Sequence, residues 1–161
     1  MAHIVFPRTD AGRVFDSMSR RPTYDPSGSN TSNERFGSRH DSTRSVAAFI
    51  DEFERCEALG VTNLIAHPGS HVGAGELDGI KTIARSLDEV HKACPGYGAK
   101  VTLEITAGQG SNLGYRFEQI ASMIDATRNS DRLRVCFDTE HAFAAGYDLR
   151  TKDGYERTFG E

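Results

Sequence analysis

The chain has 161 residues, a mass of 17.7 kDa and a formal net charge of -4, with a sequence pI near 5.9. That length supports one domain with a real core but is short for a complete barrel, and the charge balance neither supports nor excludes nucleic acid, because a local basic surface or bound cations can serve a phosphate backbone. Cys56, Cys94 and Cys136 are an odd set at wide spacing among apolar neighbours, which argues for reduced thiols in an intracellular protein, while no apolar run approaches the roughly 20 residues that span a bilayer.

Residues 1–44 are rich in Arg, Ser, Asn and Thr and carry seven Arg against five acidic residues. Few apolar residues follow Phe15, so this segment reads as a disordered tail. A mitochondrial presequence would share its Arg and Ser content, but Asp10 and Asp16 sit where such peptides avoid acids. A basic arm on DNA is the other reading. From Ser45 to Glu161 the texture is that of a folded unit. Val46, Phe49, Ile50, Phe53, Cys56 and Leu59 recur at helical spacing, and Gly60 is placed to end the helix. A strand follows at 61–66, then the loop His67-Pro68-Gly69-Ser70-His71. A second helix is predicted from Glu76 to Ala93, with Leu77, Ile80, Ile83, Ala84, Leu87 and Val90 on its apolar face. The next strand spans Lys100 to Thr106 and places Glu104 among apolar neighbours. The turn-prone run Ala107 to Asn112 precedes a third helix, about Tyr115 to Thr127. The last strand, Leu133 to Phe137, ends on Asp138, and a partial helix begins near His141.

Helix and strand alternate, which is the signature of parallel βαβ units. His67, Glu104 and Asp138 stand at or near the carboxyl ends of successive strands. In a (β/α) barrel such ends converge on the face where sites are built; in an open doubly wound sheet they spread along one edge. Imidazoles from His67 and His141 with carboxylates from Glu104 and Asp138 form a mixed N/O set suited to zinc or manganese, the histidines favouring zinc. Taken singly, Asp138 caps a short helix, Glu104 pairs with an inward Arg and His67 is a satisfied core histidine. Three strand ends in register turn the balance toward a metal, and predict that His67, Glu104 and Asp138 lie close enough to share one. His71, in a loop broken by Pro68 and Gly69, is a candidate to support a metal ligand or to contact phosphate, whereas His91 on the second helix reads as solvated. The run Gly108-Gln109-Gly110-Ser111-Asn112 exposes backbone N–H groups that suit a phosphate, although it has neither a Walker lysine nor the dinucleotide glycine spacing.

Read together, His67 to His71, Glu104 to Gly114 and Val135 to Asp148 closely resemble the endonuclease IV family of apurinic/apyrimidinic endonucleases, with the match spanning about Ser45 to Phe159. The resemblance implies a parallel (β/α) barrel of TIM type, incomplete in this chain, with a three-zinc cluster that cleaves DNA 5′ to an abasic site. It implies His67 as a ligand of the first zinc, Glu104 as the carboxylate bridging the first and second, Asp138 as a ligand of the second and His141 of the third. Glu104 and Asp138 are thereby the catalytic carboxylates, and Gly108, Gln109, Gly110, Ser111 and Asn112, with His71, the DNA-facing residues. On this pattern a metal-held hydroxide attacks phosphorus in line and no side-chain nucleophile is needed. An abasic nucleotide has no base to unstack, which makes its extrusion from the duplex cheaper.

Two departures accompany the match. Glu140 stands where the family usually has Cys, and the family's first strands and its last His, Asp and Glu ligands have no counterpart, so the chain reads as a central portion of the barrel. Each zinc would then keep at most two protein ligands, and the chain alone is expected not to cleave abasic DNA at a family-like rate. Open sheet edges predict self-association or a complementing chain. The rival readings are a catalytically inactive family member and a metal-dependent sugar isomerase or epimerase on the same barrel. Family resemblance places the protein in the nucleus, with the mitochondrion as the alternative.

Overall fold

The structure, a computed structural model, describes residues 39–159. The expected disordered tail lies outside the described residues up to position 38. Helix α1 is Arg39–Leu59, so it begins six residues ahead of the Ser45 boundary that composition suggests. Once nucleated, a helix gains one hydrogen bond per added residue whether or not that residue is apolar. Its C-terminus falls where expected, with Gly60 in the left-handed region at φ 69°.

Strand β1 (Asn63–Ala66), the two-residue strand β2 (Gly69–Ser70) and helix α2 (Glu76–Ala93) follow. Then come β3 (Lys100–Glu104), the two-residue β4 (Asn112–Leu113) and α3 (Phe117–Ala126). A short 3₁₀ turn leads into β5 (Leu133–Cys136), and α4 (Thr139–Ala144) and α5 (Lys152–Phe159) close the described chain. Helix α2 falls where its periodicity places it. The three long strands are each shorter than expected by one or two residues. Helix α5 and the small strands β2 and β4 carry no sequence pattern long enough to announce them.

The main sheet runs β1-β3-β5, all parallel, with β3 in the middle. The crossovers contain α2 and α3, and α2 packs between α1 and α3. Three successive parallel strands with helical crossovers are an arc of a (β/α) barrel. The central strand is buried from Val101 to Glu104, as a strand covered on both faces must be. Its Leu103 joins Phe53, Leu64, Ile83 and Leu87, all fully buried, in one continuous core. Leu77, in the first turn of α2, departs from expectation and is 74% exposed. No described helix is long and apolar enough to cross a membrane.

His91 also departs from expectation, for it is buried rather than solvated, with 3% of its surface exposed. It lies seven residues after Ala84 and four after Leu87, on the apolar stripe of α2. Neither ring nitrogen has a hydrogen-bond partner. Burial, with the nearby Arg132 guanidinium, lowers its pKa to about 4.

Candidate metal centre

Strand register decides which side chains meet. Ala66 pairs with Leu103, and Glu104 pairs with Cys136. The residue after Ala66, His67, therefore falls level with Glu104, one interstrand spacing of about 4.8 Å away. His67 Nε2 lies 3.2 Å from Glu104 Oε2. Glu104 ends the central strand and is buried, where an unpartnered carboxylate would carry a heavy desolvation cost. The imidazole offers it a partner.

The third member arrives on α4. His141 Nδ1 lies 2.9 Å from the carbonyl oxygen of Ile105. A carbonyl can only accept, so Nδ1 carries the proton and Nε2 keeps its lone pair, the tautomer that metal-binding histidines adopt. The His67 and His141 rings meet edge to face with centroids 5.1 Å apart. One ligand atom from each of His67, Glu104 and His141 lies within 4.8 Å of the others.

Asp138 stands outside this group of three. It is two residues beyond Cys136 and so past the level of Glu104, roughly 6–7 Å further along the strand direction. Its Oδ1 accepts hydrogen bonds from the amides of Glu140 (2.8 Å) and His141 (2.9 Å), capping α4. Asp138 Oδ2 lies 3.9 Å from His141 Nδ1. The geometry thus gathers His141 with His67 and Glu104, and gives Asp138 the capping bond that orients His141. Three candidate ligand atoms meet at one locus. Beside them, burial pushes the Cys136 thiol up to about 11, helped by the Glu104 and Asp138 carboxylates, which keeps it a protonated thiol near neutral pH.

A cleft of about 260 Å³ opens over the site, lined by His67, Thr106, Gln109, Asn112, Glu140 and His141 among others. Of the residues expected to face DNA, Gln109 and Asn112 line it, while Gly108, Gly110 and Ser111 shape the loop that carries them. Gly114 ends that loop at φ 91°, and a Cβ there would fall 2.8 Å from the Pro68 ring. Only glycine allows this closeness between the loop and the segment after His67. Thr106 Oγ1 donates to the Leu113 carbonyl at 3.1 Å and Gln119 Oε1 accepts from the Gly114 amide at 2.8 Å. His71 does not line the cleft; its Nδ1 accepts from the Gly73 amide at 3.3 Å. Glu140 is exposed at the cleft wall.

Sequence reasoning missed Ser70 and Thr106, which tie the loop down. Both are buried hydroxyls, and nothing in their sequence neighbourhood sets them apart from ordinary turn residues. The donor set fits a divalent cation, since two imidazoles and a buried carboxylate converge and one imidazole has its tautomer held by a carbonyl.

A family model described as a xylose isomerase-like TIM barrel matches residues 22–161. Among similar proteins, the probable endonuclease 4 of Citrifermentans bemidjiense is 49% identical over 118 residues, covering 73% of this chain and 42% of that one. The namesake in Nitratidesulfovibrio vulgaris is 50% identical over 116 residues, covering 72% and 41%. Among solved structures, endonuclease IV from Thermus thermophilus superposes with a TM-score of 0.63 at 30% identity, covering 80% of this chain and 46% of that one. The chain spans less than half the length of the curated relatives it matches. With its parallel strands, its His67–Glu104–His141 triad and these matches, the chain belongs to the xylose isomerase-like TIM barrel family and resembles the endonuclease IV proteins.

Proposed function

We propose that the chain carries the metal centre and lesion-facing loop of a zinc-dependent apurinic/apyrimidinic endonuclease, which hydrolyses the phosphodiester 5′ to an abasic site in base excision repair. The observation that supports this reading most is the meeting of His67 and Glu104, at adjoining strand ends, with His141 from helix α4, beneath a cleft walled in part by Gln109 and Asn112 of the Gly108–Asn112 loop. The names of the similar proteins supply the reaction class.

A zinc ion held by these three side chains would supply Lewis acidity and a water activated at neutral pH. The chain's own residues do the rest. Glu104, the catalytic carboxylate, would hold the ion and supply negative charge to it from a buried position. Asp138, the second carboxylate of the family pattern, fixes the start of α4 and hence the reach of His141. Gln109 and Asn112 offer amide donors for phosphate or sugar oxygens at the cleft wall. The cleft admits a nucleotide that lacks its base at less cost than an intact one, because no stacking is lost. Should these three side chains hold a single ion, incision is expected to be slower than at the three-ion cluster that the family resemblance implies.

A second reading, a metal-dependent sugar isomerase or epimerase, draws on the same strand-end ligands and on Glu140 at the cleft wall, since a carboxylate suits sugar hydroxyls better than it suits phosphate. The family matches bear on setting as well as on chemistry. The named relatives are bacterial, which supports an intracellular setting and adds nothing for nucleus or mitochondrion. The deciding experiment incubates the zinc-loaded chain with an abasic-site duplex, with and without chelator, and in parallel with aldose sugars. Chelator-sensitive incision leaving a 3′-hydroxyl and a 5′-deoxyribose phosphate is expected. Aldose–ketose interconversion without incision would overturn the proposal.

A further inference from the structure

We propose that Ser70 is a positioning residue, which pins the Gly108–Asn112 loop over the His67–Glu104–His141 site through Ser111. Ser70 is almost fully buried, at 3% exposure. Its Oγ lies 2.9 Å from the Ser111 carbonyl oxygen and also contacts Ser111 Oγ. The same carbonyl accepts the His71 amide at 3.0 Å. Proton accounting leaves one arrangement. The carbonyl cannot donate, so the single Ser70 hydroxyl proton goes to it, and Ser111 must donate its own proton to Ser70 Oγ.

The backbone alone is a weak tether at this point. Strands β2 and β4 form a ladder of only two residue pairs, Gly69 with Leu113 and Ser70 with Asn112, far below the length at which a two-stranded ribbon holds by itself. The two serines add side-chain bonds at the end of that ladder nearest the loop tip. Ser70 stands three residues after His67, and Ser111 directly precedes Asn112, which lines the cleft. One hydroxyl therefore links the segment that carries a metal ligand to the segment that presents the polar cleft wall. Ser70 Oγ also accepts a long bond, 3.4 Å, from the Val72 amide. Val72 is a β-branched residue in the left-handed region at φ 43°, a conformation that persists only where neighbours enforce it.

The effect on DNA rests on the endonuclease reading above; the pin itself does not. The test compares the full-length chain with Ser70→Ala and Ser111→Ala, measuring amide exchange, zinc affinity and affinity for an abasic-site duplex. Ser70→Ala should speed exchange across His71 and residues 108–113 by about tenfold or more, as loss of the two bonds to Ser111 and the long one from Val72 implies. Ser111→Ala keeps the Ser70 bond to the Ser111 carbonyl and should do less. Zinc affinity should stay within about twofold in both variants, because neither touches a ligand, while duplex affinity falls by about tenfold in Ser70→Ala. Unchanged loop exchange in Ser70→Ala overturns the proposal, as does a parallel loss of zinc and duplex affinity, or a Ser111→Ala effect as large as that of Ser70→Ala. Should the parent chain bind no abasic duplex, the endonuclease reading fails, and the exchange measurement still decides the pin.

Discussion

His91 offers a stability experiment whose sign and size both follow from its position. The ring is buried on α2 with neither nitrogen partnered, and its pKa falls to about 4 from an ordinary value of 6.5, through burial first and the Arg132 guanidinium second. Asp88 and Asp131 oppose the shift, and Lys100 adds to it. A group with a lowered folded pKa binds fewer protons in the native than in the unfolded chain between those two values. Stability is then greatest above about pH 6.5 and is lost as pH falls toward 4, by on the order of 3 kcal/mol for this one residue. Other groups titrate in the same window, so the informative quantity is a difference. His91→Leu is close in volume, has no proton to gain and leaves no unpartnered nitrogen. Urea unfolding of both proteins from pH 7.5 to 4 should give free-energy curves that diverge on acidification, the variant becoming the more stable by roughly 2–3 kcal/mol near pH 4.5. Parallel curves would refute the reasoning and place His91 in contact with water.

Asp138 separates capping from ligation: Asp138→Ala should cost about 1 kcal/mol of unfolding free energy by loss of the α4 cap, whereas Asp138→Asn should keep the cap and lower zinc affinity far less than Glu104→Gln does. Equal zinc losses for Asp138→Asn and Glu104→Gln, read by competition with a chromogenic chelator, would show that Asp138 ligates directly. Val135 is 47% exposed on β5, an edge of the parallel sheet among the described residues, and an apolar edge strand invites association. Sedimentation velocity should show self-association at high protein concentration that Val135→Lys reduces; identical profiles would remove β5 from the interface.

Much of the fold was legible because burial leaves a period. The apolar stripe of α2 marks its course from Ile80 to Val90, and the run through β3 marks a buried central strand with Glu104 as its one buried charge. That anomaly was the most informative residue in the chain, because a carboxylate among core residues needs a partner. The sequence also showed that His67, Glu104 and Asp138 belong to strand ends and that His141 follows on a short helix. What it could not show was their level along the sheet. Register is a property of pairing, and a shift of two residues is what separates Glu104, opposite His67, from Asp138, which turns instead to the amides of α4. His91 was misplaced because a histidine on a helix reads as polar, although its spacing from Ala84 and Leu87 put it on the buried stripe. Ser70 was invisible for a different reason: its partner is 41 residues away, and a two-residue strand leaves no pattern.

Zinc titration tests the central claim most directly. Calorimetric titration of the metal-free chain should give a saturable step near one zinc per chain, with proton release as the metal displaces protons from its ligands. Glu104→Ala, His67→Ala and His141→Ala should each abolish that step, while His71→Ala leaves it intact. A step that survives Glu104→Ala, or that His71→Ala removes equally, would contradict the site as the geometry draws it.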